Sequence, residues 1–179
     1  MTVAAASPRI IGAVCALALT AGALAACTPT PEPSPTPTAL FSSDEEAFAA
    51  AEETYRAYTE ATNETELDDP KTVEGVYDWL ISPAEDAARE NYSAYQAENI
   101  TRSGDSTFDT FTPVSNADEL VTVRLCIDVS KVDLTDAAGN SVVPPDRVDR
   151  APIEVEFVTG DTSTGLVIRS YIRTSEISC

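Results

Sequence analysis

The chain has 179 residues, with 11 Lys and Arg against 30 Asp and Glu, a net charge of −19, and no histidine. So acidic a surface is repelled by nucleic acid and by anionic headgroups, which argues against a nucleic-acid partner and against charge-driven membrane binding. The lack of histidine removes Ser-His-Asp and Cys-His catalysis, histidine-ligated zinc and the commonest general base near neutral pH.

Arg9 is the only side-chain cation ahead of an apolar run from Ile10 to Leu24. Its 15 residues fall short of the roughly 20 that a spanning helix needs and suit the core of an export signal. Leu24-Ala25-Ala26-Cys27 follows. This quartet resembles the lipobox of bacterial lipoproteins. The resemblance implies a signal peptide over residues 1–26, cleavage before Cys27, and a diacylglyceryl group on the Cys27 thiol. The competing reading is an ordinary secretory peptide cut after an A-x-A-like site. Two acyl chains, at about 0.8 kcal/mol per buried methylene, hold a protein stably where one chain holds it reversibly. Removing residues 1–26 deletes Arg9 and no acid, leaving the rest one charge more negative. Lipid rather than charge must therefore anchor it, at the outer face of the cytoplasmic membrane.

Residues 27–41 continue as a tether. Thr28 to Thr38 reads TPTPEPSPTPT, with proline at 29, 31, 33, 35 and 37. Each proline fixes its own φ and biases its predecessor to extended geometry. The expectation is a polyproline-II-like spacer of roughly 30 Å; docking of P-x-x-P segments in aromatic grooves is the alternative.

Residues 42–179 suit one domain with a single core. Ser43-Asp44-Glu45-Glu46 is a capping-box pattern, and Phe48, Ala51, Tyr55 and Tyr58 mark the apolar face of a helix ending near Asn63. Asp69-Pro70 is a second helix start, leading into Val73, Val76, Tyr77 and Leu80, with Gly75 weakening it. Ser82-Pro83-Ala84-Glu85 reads as another capping box with proline at the first helical position. Ala84, Ala88, Tyr92 and Tyr95 give that helix a face to about Glu98. Beyond Asn99 the period falls to two. Phe108 to Val114 is strand-like, with Pro113 marking an edge or a bend. Val121, Val123, Leu125, Ile127 and Val129 alternate with polar residues in the clearest strand of the chain. Ala138-Gly139-Asn140 is turn chemistry, and Val142 to Pro145 is irregular and extended. Ile153, Val155 and Phe157 alternate with Glu154 and Glu156, and a turn around Gly160 and Gly165 leads to a last strand, Leu166 to Arg173.

Helices followed by antiparallel strands define an α+β fold, about three N-terminal helices on a curved sheet. This order, with segments such as VTVRLCIDVSKVDLTDAAGN and a cysteine-terminated last strand, resembles the nuclear transport factor 2-like superfamily over residues 42 to 179. That resemblance implies a cone-like single domain, which serves as enzyme, binding pocket or scaffold. A cystatin-like or other helix-on-sheet domain is the competitor.

Cys15 leaves with the signal peptide, and Cys27 is the lipid acceptor. Cys126 and Cys179 remain, and an even pair in an exported domain reads most simply as a disulfide. A redox or metal pair competes, without C-x-x-C spacing or another soft ligand.

No P-loop, G-x-S-x-G or dinucleotide fingerprint is present. Asp133 to Asn140 has the look of a calcium loop with the wrong acid spacing. Glu64, Glu66, Asp68 and Asp69 read as solvated charge, and Arg147, Asp149 and Arg150 as a charged loop able to meet a partner. No catalytic residue, metal site or cofactor is therefore assigned. If the cone is hollow, Trp79, Tyr92, Tyr95, Arg124 and Asp128 are its candidate pocket residues; otherwise the rings are core and the charges are ion-paired. Three functions follow. The first is a tethered, non-enzymatic module binding a small apolar ligand or a cell-envelope protein. The second is a cone-fold isomerase or dehydratase using Asp128 with tyrosines. The third is a structural accessory of a membrane complex.

Overall fold

The structure, a computed structural model, describes residues 40–117 and 119–179. The export signal, Cys27 and the proline-rich stretch lie outside the described residues. Three helices come first: α1 (Asp44–Asn63), α2 (Pro70–Tyr77) and α3 (Ala84–Ala97). Six strands follow: β1 (Thr101–Ser103), β2 (Thr107–Ala117), β3 (Leu120–Asp128), β4 (Asp133–Thr135), β5 (Arg150–Thr159) and β6 (Leu166–Arg173). The long strands form an antiparallel sheet in the order β2-β3-β5-β6, and β1 pairs with β4 in a separate ribbon. The α+β architecture read from the sequence is the one observed.

Local chemistry accounts for the helix ends. Ser43 Oγ accepts from the Glu46 N–H at 3.2 Å, as a capping residue should. The Glu46 carboxylate reaches one residue further back than a capping box requires, accepting from Ser42 N–H and Oγ. Asp69 caps α2 through the Lys71 N–H, with Pro70 in its first turn. The second expected capping box is corrected. Pro83 itself holds the cap position, following a cis Ser82-Pro83 bond. The Glu85 N–H donates to the Ile81 carbonyl at 3.2 Å, so the donor a serine cap would satisfy is taken. The Ser82 hydroxyl turns instead to Asp86.

One face of the sheet meets the helices. Val121, Val123 and Leu125 of β3, Ile153, Val155 and Phe157 of β5, and Leu166 and Ile168 of β6 pack on Ala47, Ala51 and Tyr55 of α1, Val76 of α2, and Ala84 and Ala88 of α3. The opposite face is crossed by the C-terminal segment. Thr174 N–H bonds the Pro152 carbonyl, Arg150 donates to the Cys179 carbonyl, and the Cys126 and Cys179 sulfurs are at disulfide distance with Cα atoms 5.8 Å apart. Cys126 is thereby fully buried on the face away from the helices.

Both edge strands carry bulges that re-aim side chains. In β2 the pairing slips between Asp109 and Thr112, where Thr110 has φ 55°, so Phe108 and Phe111 both reach the core although three residues apart. Ile168 and Tyr171 of β6 behave likewise. A slip opposite Glu156 and Phe157 puts Ile168 across from Phe157 and Tyr171 across from Val155, both on the helix side.

Candidate functional site

The helix side of the sheet is not completely filled. Between α1, α3 and the end of the sheet formed by the C-terminal ends of β3 and β6 and the N-terminal part of β5 lie two adjoining cavities of about 170 and 230 Å³, which share Tyr58, Thr62, Ser106, Val129 and Tyr171. The smaller has an apolar floor of Ile127, Val129 and Ile153 beneath Tyr55 and Tyr58. The larger runs on to Tyr92, Tyr95 and Asn91 of α3, with Leu67, Val132 and Leu134 around it. Five of the six tyrosines of the chain therefore border one hollow.

The rings brace one another. Tyr55 meets Phe108 edge-on at 4.9 Å, Tyr58 lies 5.7 Å from Tyr55 and 6.3 Å from Tyr171, and Tyr92 meets Tyr95 edge-on at 6.5 Å. Burial, reinforced by Tyr171, pushes the Tyr55 phenol well above its ordinary value. Burial, then Tyr171 and Tyr55, does the same at Tyr58. Burial also raises Tyr92, against an opposing pull from Thr65, Thr62 and Arg102. These phenols stay protonated, and so remain neutral donors, across the physiological range.

Among the described residues, no carboxylate or lysine lines either cavity. Arg102 is the one cation among the described residues at the rim, and its guanidinium is committed, donating to the Thr62 carbonyl and to Asn63 Oδ1, each at 2.6 Å. It satisfies the end of α1, whose last turn has no basic residue of its own. What the hollow offers is thus apolar surface plus neutral hydroxyl and amide groups.

Of the five candidate pocket residues, Tyr92 and Tyr95 line the hollow. The other three are corrected. Trp79 follows α2, its carbonyl accepts from the Ile168 N–H, and it lines neither cavity. Arg124 and Asp128 face the other side of the sheet, because positions 124, 126 and 128 alternate with the core residues 121, 123 and 125. Arg124 pairs with Glu154 at 2.9 Å. Asp128 accepts from the Ser130 N–H and lies 3.7 Å from Arg150; the Ser130 bonds first, then Arg150, hold its carboxyl below the usual range. A half-buried acid kept ionised on that face is no proton donor to the hollow. Tyr55 and Tyr58 were visible in the sequence only as a helix face. No sequence signal marks Tyr171, since strict alternation from Ile168 points it away.

The other polar clusters have structural partners. Arg147 donates to the Val129 and Val132 carbonyls and pairs with Asp149. Asp136 accepts from the Ala138 and Asn140 N–H groups, closing the turn that resembled a calcium loop. Among the described residues no three His, Cys, Asp or Glu side chains are grouped to hold a metal ion.

Comparisons with known proteins find likeness of fold at low identity. A Catenulispora acidiphila protein in complex with S-DNPA is 16% identical, aligned over 72% of this chain and 92% of its own, with a TM-score of 0.46. A Novosphingobium aromaticivorans protein, named as a candidate aromatic ring hydroxylase, is 13% identical over 72% and 88%, with a TM-score of 0.48. Aln2 from a Streptomyces species is 16% identical over 73% and 90%, with a TM-score of 0.43. At these scores they carry nothing about the chemistry of this chain. No family model matches it, and no curated protein matches it in sequence.

Proposed function

We propose that the chain is an extracytoplasmic lipoprotein, held through Cys27 at the outer face of a bacterial cytoplasmic membrane, and that its domain is a non-enzymatic module binding a small, uncharged, largely apolar molecule. The anchor rests on the lipobox-like Leu24-Ala25-Ala26-Cys27 and the proline-rich stretch behind it. The binding role rests on one observation, the tyrosine-bordered hollow with an apolar floor and no free charge.

An anion entering this hollow would give up its hydration for a site whose nearest cation is already bonded, whereas a neutral ring bearing an acceptor oxygen loses little and gains phenol donors. The reaction-based alternative needs Asp128 beside tyrosines, and Asp128 lies across the sheet from them. A cavity of about 230 Å³ sits below the 300–1,000 Å³ of drug-sized sites, which points to a compact ligand of one or two rings.

The test is titration of intrinsic fluorescence at neutral pH with 1-naphthol, 1-naphthoate and 1-naphthylmethylammonium. The expected order places the neutral compound at least tenfold tighter than either ion. Binding led by the carboxylate would mean that Arg102 is free to act as its partner, and no binding by any of the three would remove the hollow as a site of this size and kind.

A further inference from the structure

The four-stranded sheet ends on β6, and that edge is only half covered. The Ile168 N–H donates to the Trp79 carbonyl at 2.8 Å and its carbonyl accepts from Ile81 N–H at 2.9 Å, a parallel bridge centred on Leu80. Past Ile168, residues Ser170 to Arg173 pair with β5 on one side. Among the described residues, no backbone bond is made on their other side. Tyr171 is 36% exposed and Ile172 61% exposed. Arg56, Arg89, Arg124, Arg147 and Arg150 all find carboxylates, whereas the exposed Arg169 and Arg173 form no ion pair among the described residues.

We propose that the Ser170–Arg173 edge is the docking site for an extended segment of a partner protein, which adds a strand beside β6 and carries acidic side chains to Arg169 and Arg173. The Trp79–Ile81 segment pairs with this edge through a single bridge, so its main chain is open to a neighbour, and the remaining length offers main-chain groups, an apolar side chain and two unpaired cations. Strand addition uses these features: main-chain bonds for affinity and alternate side chains for specificity. Edge charges commonly guard against unwanted pairing, and here they select. A second copy of this chain laid antiparallel would bring four unpaired arginines onto one short ladder in any register, and like charges across a ladder are destabilising. An acidic strand turns the same residues into ion pairs. Repulsion from the chain's overall charge is screened beyond about 8 Å at physiological salt, so contact-range pairs decide.

A displayed library of random twelve-residue peptides, selected against the full purified chain, tests this. Winners are then titrated against the chain and against its R169E/R173E variant, with near-ultraviolet circular dichroism as the check on folding. The expected winners have acids at alternate positions and no central proline, and they bind the double variant at least tenfold more weakly. Should that variant misfold, R173E, at the last residue of the strand, makes the same comparison. Winners without acids, binding unmoved by the reversal, or no winners at all would overturn the proposal. So would a dimer in sedimentation equilibrium that Ile172→Pro dissolves.

Discussion

Tyr58 and Tyr171 line both cavities, so each ring is positioned to meet a ligand in either one. Replacing either by Phe keeps the ring and removes one donor. The expected cost is about 1 kcal/mol, roughly fivefold in affinity for 1-naphthol, measured by the same fluorescence titration. Naphthalene, with no acceptor, should bind both variants as well as it binds the parent. The raised Tyr55 and Tyr58 phenols also set a pH dependence. They hold their protons in the folded state past the pH at which an unfolded tyrosine ionises. Their contribution to stability is therefore intact below about pH 10, the ordinary tyrosine value, and is lost as pH rises above it. In an alkaline titration followed by phenolate absorbance, these residues should ionise only together with loss of the folded circular-dichroism signal. Early ionisation in the folded chain would mean the hollow is wetter than its lining implies. On the far face the sign is opposite. Arg150 first, with Thr110, lowers Asp109, and Ser130 first, with Arg150, lowers Asp128. Their contribution is present at neutral pH and is lost as pH falls through their folded values. Arg150→Met should move the acid-unfolding midpoint upward.

The helices of this chain can be read from local signals because their ends are built from local chemistry. Ser43, Asp69 and Pro70 announce α1 and α2 by residue type alone, and Ser43→Ala should cost about 1 kcal/mol in a denaturant melt. The central strands are equally readable, since β3 and β5 alternate without interruption through their pairing. What could not be read depends on partners distant in sequence. The Ser82 cap fails because Ile81 is already tied to β6 and its carbonyl takes the Glu85 N–H. Tyr171 faces inward because of a bulge set by the pairing of β5 with β6, which no spacing within β6 announces. Arg124 and Asp128 share one strand face by spacing, but which face of β3 meets the helices is settled by packing. The β1–β4 ribbon carries no sequence signal, because three-residue strands have no period to detect. The β5–β6 turn offers a test at this scale. A Cβ on Gly160 would collide with the Val167 side chain, so Gly160→Ala should destabilise by about 1–3 kcal/mol, whereas Gly139→Ala meets no atom and is opposed only by its positive φ.

At the scale of the molecule, the sheet divides two kinds of surface. Its helix side holds the core and the hollow, while its far side holds ion pairs under a C-terminal segment fastened at Cys126 and Cys179. That link spans 53 residues and ties the end of the chain to its central strand. On the chain-entropy estimate it stabilises the fold by about 4 kcal/mol, so C126A/C179A should lower the melting temperature well beyond any surface substitution. Because the link lies across the sheet from the tyrosines, the folded fraction of that variant should bind 1-naphthol unchanged. The proposed anchor, the hollow and the proposed docking edge on β6 would together make a tethered carrier with its cargo site beside a docking strand. The most direct test is the mass of the chain extracted from membranes, measured intact under native conditions and again after denaturation. The expected result is a polypeptide beginning at Cys27 with a diacylglyceryl group, from which denaturation releases a small uncharged molecule. A mass without lipid would contradict the anchor, and a lipidated chain that releases nothing and takes up no neutral ligand would contradict the binding role.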